Sequence, residues 1–241
     1  MARVLVIPDS KLSIEKIERG IELARKYHAD TIVIMGNYFN EFEAGDSQRD
    51  YFDMWDYLCV LLRKDTRIVP LIGENELNYL GYNKRLPGYN KKLAKYIGHK
   101  LISNHRFMPV FAADGVLYSH AGVTTTWLRN YKIMLENEIR FRLGKGGGAG
   151  LIEHAILKLR DWDPFFDDDG VFASCMRQKY TSLMSYAPSS VTQVVGHTEV
   201  SEPFNAGRIW FSNSQDEDAY LFVNNGEVRV VRYGEERQYD E

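Results

Sequence analysis

Ile34-Met35-Gly36-Asn37-Tyr38-Phe39-Asn40-Glu41 is the stretch that decides the fold: an apolar run ends in glycine and then presents two asparagines three residues apart. A short, continuous, β-branched run marks a strand buried on both faces. A glycine at its end lets the backbone turn sharply, so the polar residues that follow sit at the strand's end. Two more segments close in the same way, Leu71-Ile72-Gly73-Glu74-Asn75-Glu76 and Val194-Val195-Gly196-His197-Thr198, and a third, Ile7-Pro8-Asp9-Ser10-Lys11, stops at a proline before its polar residues. The expectation is four buried strands delivering polar groups to one rim.

Working outward, residues 3–7 and 31–35 read as strands. Between them Ser13 caps a helix whose apolar positions Ile14, Ile17, Ile21 and Ala24 keep helical spacing. A strand, a helix and a strand with short links make a right-handed βαβ unit, which brings Asp9 and Asn37 together. A helix over 47–63, with Phe52, Trp55, Cys59 and Leu62 on one face, and a strand over 67–72 repeat the unit. Residues 79–90 read as a surface excursion leading into a short helix over 91–97. Short strands are predicted at 101–102, 108–111 and 116–119, the last two about the turn Asp114-Gly115. The middle, about 124–160, reads as a helical insertion broken by the glycine-rich run 144–150. That run lacks the GKS or GKT ending and the preceding strand of a phosphate loop, and reads as a flexible link. The acidic run 167–169 reads as a solvated loop. Strands are predicted at 192–195, 208–211, 219–223 and 228–231, the last pair joined by Asn225-Gly226, with a frayed tail from about 234 to 241.

A length of 241 residues with 44% hydrophobic and 26% charged residues suits one globular domain spanning 1–241. A net charge of −3 argues against duplex nucleic acid as a partner. There is no basic-then-apolar leader and no apolar run of about 18 residues. With Cys59 and Cys175 the only cysteines, the reading is a cytoplasmic protein with reduced thiols and no membrane association.

Together the strand ends resemble the calcineurin-like metallophosphoesterases, most closely the phosphoprotein-phosphatase branch with its small bacterial and phage relatives. That family carries, in order, D-x-H, G-D-x-x-D, G-N-H-E, H-A-G and G-H-T blocks. The matching stretches here are Asp9-Ser10-Lys11, Gly36-Asn37-Tyr38-Phe39-Asn40, Gly73-Glu74-Asn75-Glu76, His120-Ala121-Gly122 and Gly196-His197-Thr198. The resemblance implies an α/β fold, a calcineurin-like four-layer αββα sandwich of two mixed β-sheets flanked by helices. It also implies a site in which two divalent ions clamp a phosphate.

Most of the family's chemical positions are altered. Lys11 replaces an imidazole ligand with an ammonium, Asn37 replaces the bridging carboxylate, and Asn75 and Asn40 replace the general acid and its supporting carboxylate. Losing a positioned acid alone forfeits a factor of about 10²–10⁴ in rate. The catalytic positions Asp9, Lys11, Asn37, Asn40 and Asn75 are therefore not expected to form an intact active site. Two ions are not expected. One divalent ion, manganese, zinc or iron, would be held by Glu74, His120 and His197 with the Asn37 carbonyl. Lys11 is expected to pair with Asp9 in place of the lost metal. Lys11, Asn37, Asn75 and Arg177 are the candidate phosphate contacts, Arg177 matching a family arginine ahead of G-H-T. The resulting expectation is a pseudophosphatase that binds a phosphate-bearing small molecule or phosphoprotein without hydrolysing it. A mononuclear metal-dependent phosphoesterase and a ligand-free structural or interaction module are the alternatives. The sequence leaves the oligomeric state open.

Overall fold

Strand β1 (Arg3–Ile7) runs through the centre of a five-stranded sheet of order β10-β9-β1-β2-β3, formed with β2 (Thr31–Ile34), β3 (Ile68–Pro70), β9 (Ala219–Asn224) and β10 (Glu227–Arg232). The computed structural model describes residues 2–39, 48–77, 79, 91–104, 106–127 and 175–235. Asn40, the excursion beyond Tyr79, most of the expected insertion at 124–160 with its glycine-rich run, the acidic run at 167–169 and the end of the tail lie outside the described residues. β1, β2 and β3 are parallel, while β9 is antiparallel to β1 and β10. The second sheet, order β4-β5-β6-β8-β7, contains β4 (Val110–Ala113), β5 (Val116–Ser119), β6 (Thr192–Val195), β7 (Phe204–Ala206) and β8 (Ile209–Phe211). Its three central strands β5, β6 and β8 are parallel, and the edges β4 and β7 run antiparallel to their neighbours. The fold is thus an α/β sandwich of two mixed sheets flanked by helices.

Alternation along the strands separates the layers. Val4, Val6, Val33, Met35, Leu221 and Val223 of the first sheet pack with Val116, Tyr118 and Val194 of the second, filling the space between the sheets. The intervening residues Leu5, Ile7, Ile32, Ile34, Tyr220 and Phe222 face the other way. They pack against helix α1 (Ile14–Lys26) through Ile17, Ile21 and Ala24, and against α2 (Gln48–Lys64) through Trp55, Leu58 and Leu62. Ser13 Oγ accepts the Lys16 N–H at the start of α1, as its position suggests. On the outer side of the second sheet, Val195, Ile209 and Phe211 pack against Leu183.

Two hairpins follow their turn dipeptides: Asp114-Gly115 (φ 46° and 78°) joins β4 to β5, and Asn225-Gly226 (φ 53° and 82°) joins β9 to β10. Paired positive φ values are what a two-residue primed turn requires. Residues 101–102, expected as a strand, belong instead to helix α4 (Lys91–Ser103). Leu93, Ile97 and Leu101 are all buried at four-residue spacing, so the helical face continues past the point where two adjacent apolar residues suggested a strand. The short elements α3 (Glu74–Leu77), α5 (Tyr180–Tyr186) and β7 were not expected. Cys59 and Cys175 do not form a disulfide. Among the described residues no helix is long and apolar enough to cross a membrane.

Gly20, inside α1, shows how closely α1 sits on the sheet: a Cβ there would lie 2.6 Å from both Cγ1 and Cδ1 of the fully buried Ile7. Gly20→Ala should lower stability by about 1–2 kcal/mol in urea denaturation, because overpacking outweighs the gain in helix propensity. A stabilised variant would contradict this packing.

Candidate functional site

Because β1, β2 and β3 are parallel, as are β5 and β6, their C-terminal ends bring Asp9, Asn37, Glu74, His120 and His197 into one region. The loops after β2 and β3 touch at the backbone. A Cβ on Gly73 would lie 2.4 Å from both the amide nitrogen and Oδ1 of Asn37. Glu76, fully buried, holds them together: Oε2 accepts the N–H groups of Asn37 (2.9 Å) and Gly73 (2.8 Å), and Oε1 accepts that of Tyr38 (2.9 Å). Burial pushes its carboxyl up to about 7, opposed by backbone N–H donors from Gly73, Asn37, Tyr38 and Phe39.

The asparagines are wired into this frame. Asn37 Nδ2 donates to Asp9 Oδ2 (3.1 Å), and its Oδ1 accepts the Asn75 N–H (3.1 Å). Asn75 Nδ2 in turn donates to the Phe39 carbonyl (2.7 Å). An amide at 37 thus offers Asp9 a donor where a second carboxylate would repel it. Its carbonyl, expected as a fourth metal ligand, already accepts a backbone N–H.

The second sheet contributes the histidines. His120 is fully buried, and its Nδ1 donates to the Met35 carbonyl at 2.8 Å while lying 3.7 Å from Asp9 Oδ1. Burial holds its pKa below the usual range, with the neighbouring His197 lowering it further against Asp9 and Glu74. The imidazole is therefore neutral, and Nε2 carries a lone pair that no hydrogen-bond donor meets. His197 sits in a tight three-residue turn, φ 53°, closed by the Thr198 N–H donating to the Gly196 carbonyl at 2.6 Å. Turns of this kind are rare and strained, and such strain gathers at functional positions. His197 Nδ1 lies 3.1 Å from Glu74 Oε1, and Glu74 Oε2 lies 3.7 Å from Arg177 Nε.

Burial opposes the charge on both partners, but their contact prevails. Glu74 is held below its ordinary pKa by His197, His120 and Arg177, and His197 above its own by Glu74 and Asp9. Ligand atoms of Glu74, His120 and His197 all lie within 4.8 Å of one another. Two imidazoles and a carboxylate suit zinc, manganese or iron. The fit has a further sign: His120 Nε2, Asp9 Oδ1 and Asn75 Oδ1 are buried acceptors without a hydrogen-bond donor. A histidine that donates one ring nitrogen to a carbonyl and leaves the other free has the usual arrangement of a metal ligand.

The expected Lys11–Asp9 pair is not formed. Lys11 and Leu12 both adopt positive φ (44° and 65°) and donate their N–H groups to the carbonyls of Asn37 and Tyr38. The Lys11 side chain, 44% exposed, meets Glu199 instead, with Nζ 3.1 Å from Oε2. Asp9 is served by Asn37. Glu199 escaped the sequence reading because it lies 188 positions from Lys11 and belongs to no block. Glu76 was placed on the rim without a role; its signal is a carboxylate three residues beyond a strand-ending glycine.

No family model matches the chain, and no curated protein is significantly similar to it. Among solved structures, TT1561 of Thermus thermophilus is similar at 12% identity and a TM-score of 0.40, covering 96% of this chain and 99% of its own. A second solved structure is similar at 14% identity and a TM-score of 0.42, covering 97% and 99% respectively. Likenesses this weak carry no argument about the site.

Glu76→Gln keeps the shape of the side chain but sets an NH₂ group against backbone donors. It should cost about 2–4 kcal/mol of stability by urea titration, as unsatisfied buried N–H groups do. A loss below about 0.5 kcal/mol, the scale of an ordinary surface substitution, would contradict its role.

Proposed function

We propose that this chain is a calcineurin-like metallophosphoesterase relative with impaired catalysis, which holds a phosphate-bearing ligand beside one divalent ion carried by Glu74, His120 and His197. The observation that carries the reading is the buried His120, whose Nδ1 is committed to the Met35 carbonyl and whose Nε2 has no donor. The ion would supply Lewis-acid polarisation of a phosphoryl oxygen. The chain's own groups do the rest. Asp9, held by Asn37, lies beside His120, where its carboxyl group would balance the cation. Arg177, next to Glu74, offers its guanidinium to a phosphate oxygen. Lys11 offers an ammonium at the exposed end of the β1 loop.

Hydrolysis is poorly served. Asn75 is an amide with its NH₂ turned to the Phe39 carbonyl, and it cannot deliver a proton to a leaving oxygen. Asn37 binds Asp9 rather than presenting a carboxylate. A second reading, a mononuclear phosphoesterase, draws on the same three residues: an ion held by Glu74, His120 and His197 would supply the Lewis acidity that activates a water.

Equilibrium dialysis against manganese or zinc should give about one equivalent in the wild type, and a small fraction of it in His120→Ala and His197→Ala. Less than about a tenth of an equivalent in the wild type would remove both readings. With metal loaded, inorganic phosphate should raise the melting temperature while phosphomonoester turnover stays near background. Turnover that His197→Ala abolishes would favour the mononuclear enzyme. If neither metal nor phosphate binds, a structural or interaction module is the surviving account.

A further inference from the structure

The Lys11–Glu199 pair joins the two halves of the sandwich at the candidate site: Lys11 follows β1 of the first sheet, and Glu199 stands two residues beyond His197 at the end of β6. Both ends are positioned. The Lys11 backbone is fixed by its N–H bond to the Asn37 carbonyl (2.8 Å). Glu199 Oε1 accepts from Gln215 Nε2 (2.9 Å), and Gln215 donates its own N–H to the Val200 carbonyl (2.8 Å). This leaves Glu199 Oε2 facing the ammonium at 3.1 Å.

We propose that Glu199 is a specificity-determining residue that withholds Lys11 from anionic ligands, so that a phosphate group must displace a carboxylate before it gains the ammonium. The inference rests on the phosphate-binding reading above. Side chains 44% and 50% exposed make the pair weak enough for a dianion to break. Competition for one cation also selects by charge: a phosphate dianion outbids a carboxylate where a monoanionic diester gains little.

The test is binding of inorganic phosphate by titration calorimetry to manganese-loaded protein in four forms: wild type, Glu199→Gln, Lys11→Met and the double variant. Glu199→Gln keeps the bond from Gln215 and removes the competing charge, and should tighten phosphate about two- to fivefold, the range an exposed ion pair can withhold. On the Lys11→Met background the same change should have no effect, and Lys11→Met alone should weaken binding. Equal affinity in wild type and Glu199→Gln, with Lys11→Met weaker than both, overturns the latch and leaves the phosphate reading standing. Equal tightening by Glu199→Gln with and without Lys11 overturns it too, because simple removal of negative charge would then explain the gain. No phosphate binding by any of the four forms overturns the ligand reading and the inference with it.

Discussion

A buried carboxylate holding backbone N–H groups from two loops is the constraint from which the site follows. Glu76 accepts from Gly73 in its own loop and from Asn37 and Tyr38 in the loop after β2, where the two loops approach too closely for a side chain on Gly73. Neither loop could keep this approach with those N–H groups unpaired, since each buried donor without an acceptor costs about 1–3 kcal/mol. Once the loops are fixed, Asn37 is presented to Asp9 and Asn75, and Glu74 is placed beside His197. The described part of the first-sheet rim is therefore tied together by hydrogen bonds within the protein itself.

The charge pattern separates two halves of the site. Around Asp9 and Asn37 the groups satisfy one another: an amide donor meets a carboxylate, and a backbone N–H meets the amide oxygen. Beyond these bonds, His120 Nε2, the remaining Asp9 oxygen and the Asn75 oxygen are buried acceptors that meet no donor. Buried acceptors without donors are unfavourable unless a cation meets some of them. The asparagine NH₂ groups are thus committed within the protein, while ligand atoms of Glu74, His120 and His197 lie close enough together to meet one cation. That contrast underlies a one-ion rather than a two-ion reading.

Much of this was legible from strand ends. Apolar runs closing in proline or glycine marked Asp9, Asn37, Glu74 and His197 as strand-end residues, and the structure brings them together because the ends of buried parallel strands must lie on one edge. The hairpins at Asp114-Gly115 and Asn225-Gly226 were equally plain. The misreadings share a cause, which is dependence on partners remote in sequence. Residues 101–102 looked like a strand until Leu93 and Ile97 set a helical face. β7 has three residues around a polar Asn205, too short for any pattern. Lys11 was expected to take the place of a lost metal beside Asp9, but positive φ at Lys11 and the hydrogen bond from Asn37 to Asp9 left it to Glu199.

The central claim is that two histidines and a carboxylate from opposite sheets hold one cation. X-ray absorption at the zinc edge of the stoichiometrically loaded protein tests it most directly. The account predicts one zinc with two imidazole ligands, at the roughly 2.0–2.1 Å usual for zinc–nitrogen bonds, completed by oxygen. A loaded ion with no imidazole scattering, or with sulfur in its shell, would contradict it.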